Sequence, residues 1–289
     1  MHPAPSVIIF TTLSGLGFGM LIFLGLDTTA PTGWNGFAFF AIAYALAVGG
    51  LLSSTLHLGH PERALKAFTQ WRSSWLSREG VFAVATLLVM ALFAFMLVFF
   101  STQLTLLGWI GALLSILTIF ATSMIYTQLK TVPRWNHWSP PVLFMAYAVV
   151  GGALLTGRVT LVMYLLPVLA VLQIVAWFDQ DRREANSDST VGTATGLGAL
   201  GEVRLFEKPH TGSNYLTKEM VFQIGRKHAA TLKVISLALS CAIPLFLLLV
   251  TFNHFVAILA VFSHVAGVFV QRWLFFAEAK HVVSLYYGR

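Results

Sequence analysis

Ionisable side chains are scarce in this sequence, and they gather in one place. Between His57 and Glu79 stand two His, two Glu, four Arg or Lys and two Trp, in a chain of 289 residues that is only 10% charged. The flanking stretches, 34–56 and 80–129, carry no Asp, Glu, Lys or Arg. His57 and Glu79 close this polar island at its two ends. Histidine exchanges protons near neutral pH, and a carboxyl drawn partly out of water has its pKa pushed up toward that range. Together they could serve as a proton donor and acceptor set. If the flanking stretches are consecutive antiparallel helices, they pack together, and both side chains can face one pocket at the depth of a membrane interface. A quinone needs that setting: lipid for its isoprenoid tail, hydrogen-bond donors for its ring carbonyls, and groups of near-neutral pKa for its protons. The alternative for the same two residues is helix capping and contact with lipid headgroups.

The elements that must position them follow from hydropathy. The chain is 57% hydrophobic with a mean hydropathy of +0.79, beyond the usual apolar share of a soluble domain. Uncharged runs recur that are long enough, at about 20 residues, to cross a bilayer as helix; the strict alternation of barrel strands is absent. Eight spans are predicted, at about 5–27, 34–56, 79–101, 104–129, 140–157, 160–178, 230–252 and 255–276. The first lacks a basic leader and a small-residue cleavage site and reads as a retained helix. Residues 62–71 space their apolar positions as a helix does, with Pro61 suited to its first position, and predict a short interfacial helix. Residues 179–229 form a long polar docking loop. The fold class is therefore all-α integral membrane, a single eight-helix domain.

Eight spans put both termini on one side, together with loops 57–78, 130–139 and 179–229. Of the 18 Lys and Arg, 17 fall on that side and only Arg158 on the other; without the long loop and Lys233 the ratio is still nine to one. Excess positive charge marks the cytoplasmic side, so both termini and the polar island are expected there, in a bacterial inner membrane. The net charge of +7 follows from this topology and implies no nucleic acid partner.

Other features exclude chemistry rather than suggest it. The one cysteine, Cys241, can form neither an intrachain disulfide nor a cysteine-ligated cluster. Gly196-Leu-Gly-Ala-Leu-Gly201 matches a dinucleotide fingerprint literally, but a polar run precedes it where a strand is required. His264 is the one histidine well inside a span, so a bis-histidine haem lacks its second ligand and no metal site is expected; a hydrogen-bonded core histidine is the alternative. No Asp, Glu, Lys or Arg stands at mid-depth, which weighs against a transporter.

Several motifs resemble one family. His57-Leu-Gly-His-Pro-Glu-Arg63-Ala, Ser77-Arg-Glu79 and Thr131-Val-Pro-Arg-Trp135, with Trp138-Ser-Pro, are similar to the membrane anchors of DMSO reductase-type molybdoenzymes (DmsC-like) across all eight spans. Leu205-Phe-Glu-Lys-Pro-His-Thr-Gly-Ser-Asn-Tyr215 and Gln271-Arg-Trp-Leu-Phe-Phe-Ala-Glu278 are most similar to the sulfite dehydrogenase (SoeC-like) branch. The resemblance implies a haem-free, metal-free subunit, not catalytic for the substrate by itself, that holds ubiquinone or menaquinone. It implies a ferredoxin-like iron–sulfur subunit and a molybdopterin catalytic subunit on the cytoplasmic side, with electrons from sulfite passing to quinone. The reverse flow, from quinol to an S- or N-oxide, is the alternative. The family's quinone-site histidine and glutamate match His57 and Glu79; His60, Arg78 and Trp75 are expected beside them. Arg63, Lys66, Arg72, Arg134, His137, Arg204, Lys208 and His210 are the expected docking residues.

Overall fold

The long uncharged runs fold as helices. The computed structural model describes residues 1–56, 60–210, 212–221, 228–250 and 253–288; His57 lies outside the described residues. The helices are α1 (Pro5–Leu26), α2 (Gly33–Thr55), α3 (Trp75–Phe100), α4 (Thr105–Thr127), α5 (Ser139–Leu155), α6 (Val159–Ala185), the short α7 (Val191–Thr195), α8 (Ala229–Leu237), α9 (Ile243–Val250) and α10 (His254–Ala277). A π-helical segment, Ala238–Ala242, joins α8 to α9 into one rod. Seven of these units are long and apolar enough to cross a membrane, with α8 and α9 counted together as Ala229–Val250. The fifth predicted span is helical too, but its 17 residues fall short of the roughly 20 that a bilayer core asks for. The chain is thus an all-helical, multi-pass membrane protein.

Local chemistry sets the helix ends. Ser74 caps α3 by accepting from the Ser77 N–H at 3.4 Å, so this helix starts four residues before the predicted span. Asn253 caps α10, accepting from Val256 N–H at 2.9 Å. α6 runs to Ala185, seven residues past its predicted end, so the long loop starts later than expected. The extension is held by ion pairs: Asp179 meets Arg183 one turn on at 3.3 Å, and Asp181 and Glu184 are gripped by Arg134. Residues Pro61–Gln70 form a 3₁₀ helix, with Pro61 in its first turn.

α1 sits at the centre. In its most apolar window 72% of residues are buried, against 28–44% in the other long spans. It packs on α2, α4 and α5 through small residues that let backbones meet: a Cβ at Gly19 would overlap the Ala148 carbonyl of α5, and one at Gly25 the Gly108 carbonyl of α4. One apolar cluster fills the α1–α4 half and reaches Trp135, Phe144 and Phe275. A second joins α5, α6, α9 and α10. The two chain ends share one end of the bundle: the Met1 amine donates to Ala279 O at 2.5 Å, and Val282 N to Thr131 O at 2.9 Å.

Candidate functional site

Glu79 stands in the second turn of α3, at the same end of the bundle as Thr127, and only 4% of it is exposed. A buried carboxyl is expensive unless its oxygens find donors. Thr122 of α4 supplies one, its Oγ1 hydrogen-bonded to Glu79 Oε1. The same Oγ1 donates to Thr118 O at 3.0 Å. A hydroxyl has one proton, so Thr122 shares it between the Glu79 carboxyl and the Thr118 carbonyl. The site thus holds a buried carboxyl at the edge of an uncharged helix, with one hydroxyl donating to it.

A line of buried polar groups continues from it across the bundle. Tyr126, one turn beyond Thr122, lies within electrostatic reach of both Glu79 and Arg272 of α10. Arg272 is 2% exposed; its guanidinium carbon lies 3.7 Å over the Phe144 ring and 5.6 Å from that of Tyr147. Its Nε and Nη1 have no hydrogen-bond partner among the described residues. Tyr147 donates to Gln173 Oε1 of α6 at 3.1 Å. The His264 ring sits 6.3 Å from that of Tyr147, with Nδ1 2.7 Å from Ser240 O, so His264 is a hydrogen-bonded core histidine. Arg272 does not stand out in the sequence because it lies five residues from the end of α10, where arginines usually reach water.

A second charged centre gathers at the same end. Arg134 donates through Nη1 to Asp181 (2.6 Å) and Glu184 (3.1 Å) and through Nη2 to Glu278 (3.2 Å). Lys233 pairs with Asp181 and Glu278 at 3.3 and 3.0 Å, and Lys280 with Glu184 at 2.6 Å. Three cations thus balance three carboxylates. Burial alone would lower the Arg134 pKa; Glu278, Asp181 and Glu184 outweigh it and hold the guanidinium above its ordinary value. Next to it Trp135 stacks on Phe275 at 5.0 Å and donates from Nε1 to Phe275 O at 3.0 Å. The Thr131–Trp135 and Gln271–Glu278 motifs therefore pack against each other.

The other expected site residues distribute as follows. Trp75 makes an edge contact with Phe120 at 5.8 Å. Arg78 lies 4.3 Å over the Trp75 ring and spends its Nε and Nη2 on Trp71 O and Arg72 O, at 2.9 and 2.6 Å. It ties the 3₁₀ helix to α3 while Glu79 points inward. His60 is exposed and 2.9 Å from Glu62. Arg63, Lys66 and Arg72 are exposed; so are Arg204, paired to Glu202 at 3.0 Å, and Lys208. Arg134 and His137 have internal partners instead. The His137 side chain is buried with Nδ1 3.1 Å from Asp179 Oδ2. Burial, then the charge on Arg183, keep its pKa below the ordinary histidine value against the pull of Asp179, and its Nδ1 accepts from the Ser139 N–H at 3.3 Å. His210 Nδ1 meets the Tyr287 hydroxyl at 2.9 Å.

The chain is an all-helical membrane bundle with a buried carboxyl at one end and charged loops around it. The chain belongs to the DMSO reductase anchor subunit (DmsC) family, whose sequence profile matches residues 1–288. As such it is the membrane anchor of a molybdoenzyme complex, partnered with catalytic and iron–sulfur subunits. It is 30% identical to a sulfite dehydrogenase subunit of Allochromatium vinosum over 328 aligned positions that cover 99% of each chain. No solved structure matches the chain.

Proposed function

We propose that this subunit passes electrons from sulfite oxidation into the quinone pool. It does so as an eight-span anchor of a bacterial inner membrane, with both termini and both partner subunits on the cytoplasmic side. The observation that carries the reading is the buried Glu79 carboxyl, hydrogen-bonded to Thr122 at the edge of an uncharged helix. Full-length likeness to a sulfite dehydrogenase subunit supports the substrate. The excess of Lys and Arg in the loops on the termini side supports the orientation.

Quinone, ubiquinone or menaquinone, when bound takes up two electrons and two protons. Glu79 fits it as a protonatable group at interface depth, and His57 is the second protonatable group of the proposed site. Thr122 donates to the Glu79 carboxyl and orients it. Tyr126 and Arg272 extend the polar line, and the unspent Nε and Nη1 of Arg272 suit an oxygen acceptor. The aromatic wall of Phe144, Phe275 and Phe276 keeps water out, which strengthens each of these contacts. With a single cysteine, the chain leaves iron–sulfur and molybdenum chemistry to its partners.

The test uses the assembled complex. Glu79→Gln should cut sulfite-dependent quinone reduction ~100-fold, and His57→Ala should do the same. Both should leave sulfite oxidation by a soluble artificial acceptor intact. Unchanged quinone reduction in both variants would overturn the site; a complex that oxidises quinol to reduce an S- or N-oxide, and does not oxidise sulfite, would reverse the direction.

A further inference from the structure

The loop between α6 and α8 lies outside every helix long enough to span a membrane, yet it shows apolar side chains to solvent. Leu197 is 48% exposed, Leu200 85%, Leu205 38% and Phe206 completely. On the spans such exposure faces lipid; here another cause is needed.

The segment is also held in place. A capping box between Thr190 and Thr193 starts α7, and Gly196, at φ +71°, ends it in the left-handed conformation that favours glycine. The C-terminal 3₁₀ helix, Val282–Tyr287, then clamps the excursion at its two ends. The Tyr286 hydroxyl donates to Ala194 O at 2.7 Å. The Tyr287 hydroxyl meets His210 Nδ1 at 2.9 Å, with the two rings stacked 6.3 Å apart and 18° from parallel. Residues 194–210 thus form a closed loop whose tip carries the exposed apolar residues and Arg204, which pairs with Glu202 at 3.0 Å. A loop fixed before binding loses little freedom on binding, and aromatic and arginine side chains are the usual anchors of interfaces.

A bilayer surface is the less suitable occupant. Interfacial segments pair their apolar residues with excess Lys and Arg. Residues 194–210 carry two acids (Glu202, Glu207) against two bases (Arg204, Lys208), with no excess of either. The clamp sits on the segment after α10, joined to Thr131 through Val282 N, at the end of the bundle where Glu79 lies. A subunit seated there is the one placed to deliver electrons to that site. We infer that the Leu197–Phe206 tip, clamped by Tyr286 and Tyr287, is the surface on which the iron–sulfur subunit of the complex seats. The inference rests on the anchor reading above.

The experiment is affinity purification of the full complex through this chain, with retained subunits counted by mass spectrometry and by iron and molybdenum content. Phe206→Asp with Leu200→Asp should reduce retention of both soluble subunits about tenfold or more. The yield and melting temperature of this chain should not change, because both side chains are free in solvent. Tyr286→Phe with Tyr287→Phe should give a smaller loss, since the tip is intact but loosened. Glu79→Gln should retain both subunits in full. Undiminished retention in the Phe206→Asp, Leu200→Asp variant overturns this inference alone. A vesicle-dependent blue shift of Phe206→Trp fluorescence in the intact complex assigns the tip to lipid and also overturns it. A native chain that retains neither subunit overturns the anchor reading and this inference with it.

Discussion

Glu79 and Arg134 are both buried at the same end of this bundle, and their surroundings differ. Arg134 is matched by three carboxylates, with two lysines completing a neutral cluster. Glu79 has one hydroxyl, and no cation pairs with it among the described residues. A buried charge that is fully matched fixes structure, because its energy rises steeply if any partner moves. A buried carboxyl with one neutral partner contributes little to folding, and it can take or release a proton without breaking a network. The contrast separates the group that holds the end of the bundle together from the group available for chemistry.

The comparison can be broken in order of expected effect. Arg134→Met leaves Asp181, Glu184 and Glu278 crowded together; it should lower stability by about 3–5 kcal/mol, read as a drop in the melting temperature of the detergent-solubilised chain. Glu79→Gln removes the proton but keeps the shape; quinone-linked turnover should fall ~100-fold while the melting temperature holds or rises. Equal destabilisation by the two would erase the distinction. Thr122→Val takes away the one partner of Glu79 and should slow turnover by about fivefold, the worth of one hydrogen bond of about 1 kcal/mol, with its pH profile displaced.

The smallest effect concerns His137. Its folded pKa lies below the unfolded value, so the unfolded chain binds more protons as pH falls through the histidine range. Its contribution to stability is therefore present above about pH 6.5 and lost below it. Amide exchange over residues 130–138, corrected for intrinsic rates, should be faster at about pH 5 than at about pH 7, and His137→Phe should flatten that difference.

Helix extents are legible in the sequence because hydropathy along one run decides them; α1, α2, α4, α5 and α10 begin and end within two residues of expectation. α6 reads seven residues short because polarity suggests a loop, whereas Asp181 and Glu184 are polar in order to reach Arg134, some 50 positions away in sequence. Arg134 itself reads as a docking residue for the same reason. Local pattern gives a side chain's charge and not its distant partner. Glu79 is legible because its isolation among apolar residues is itself local. The Glu79–Tyr126–Arg272 line is not, since it joins three helices.

The centrality of α1 bears on how the protein is made. Gly19 fits only against α5 and Gly25 only against α4, and α1 ends at Leu26 whereas α5 ends at Leu155. At the usual pace of synthesis the ribosome takes on the order of ten seconds to cover that interval. Until α4 and then α5 are made, the small-residue faces of α1 that will meet them are bare, although α2 already covers its own side. Substitutions on those faces should therefore first be felt during biogenesis, as captured intermediates and rapid turnover, before any mature complex exists to be assayed.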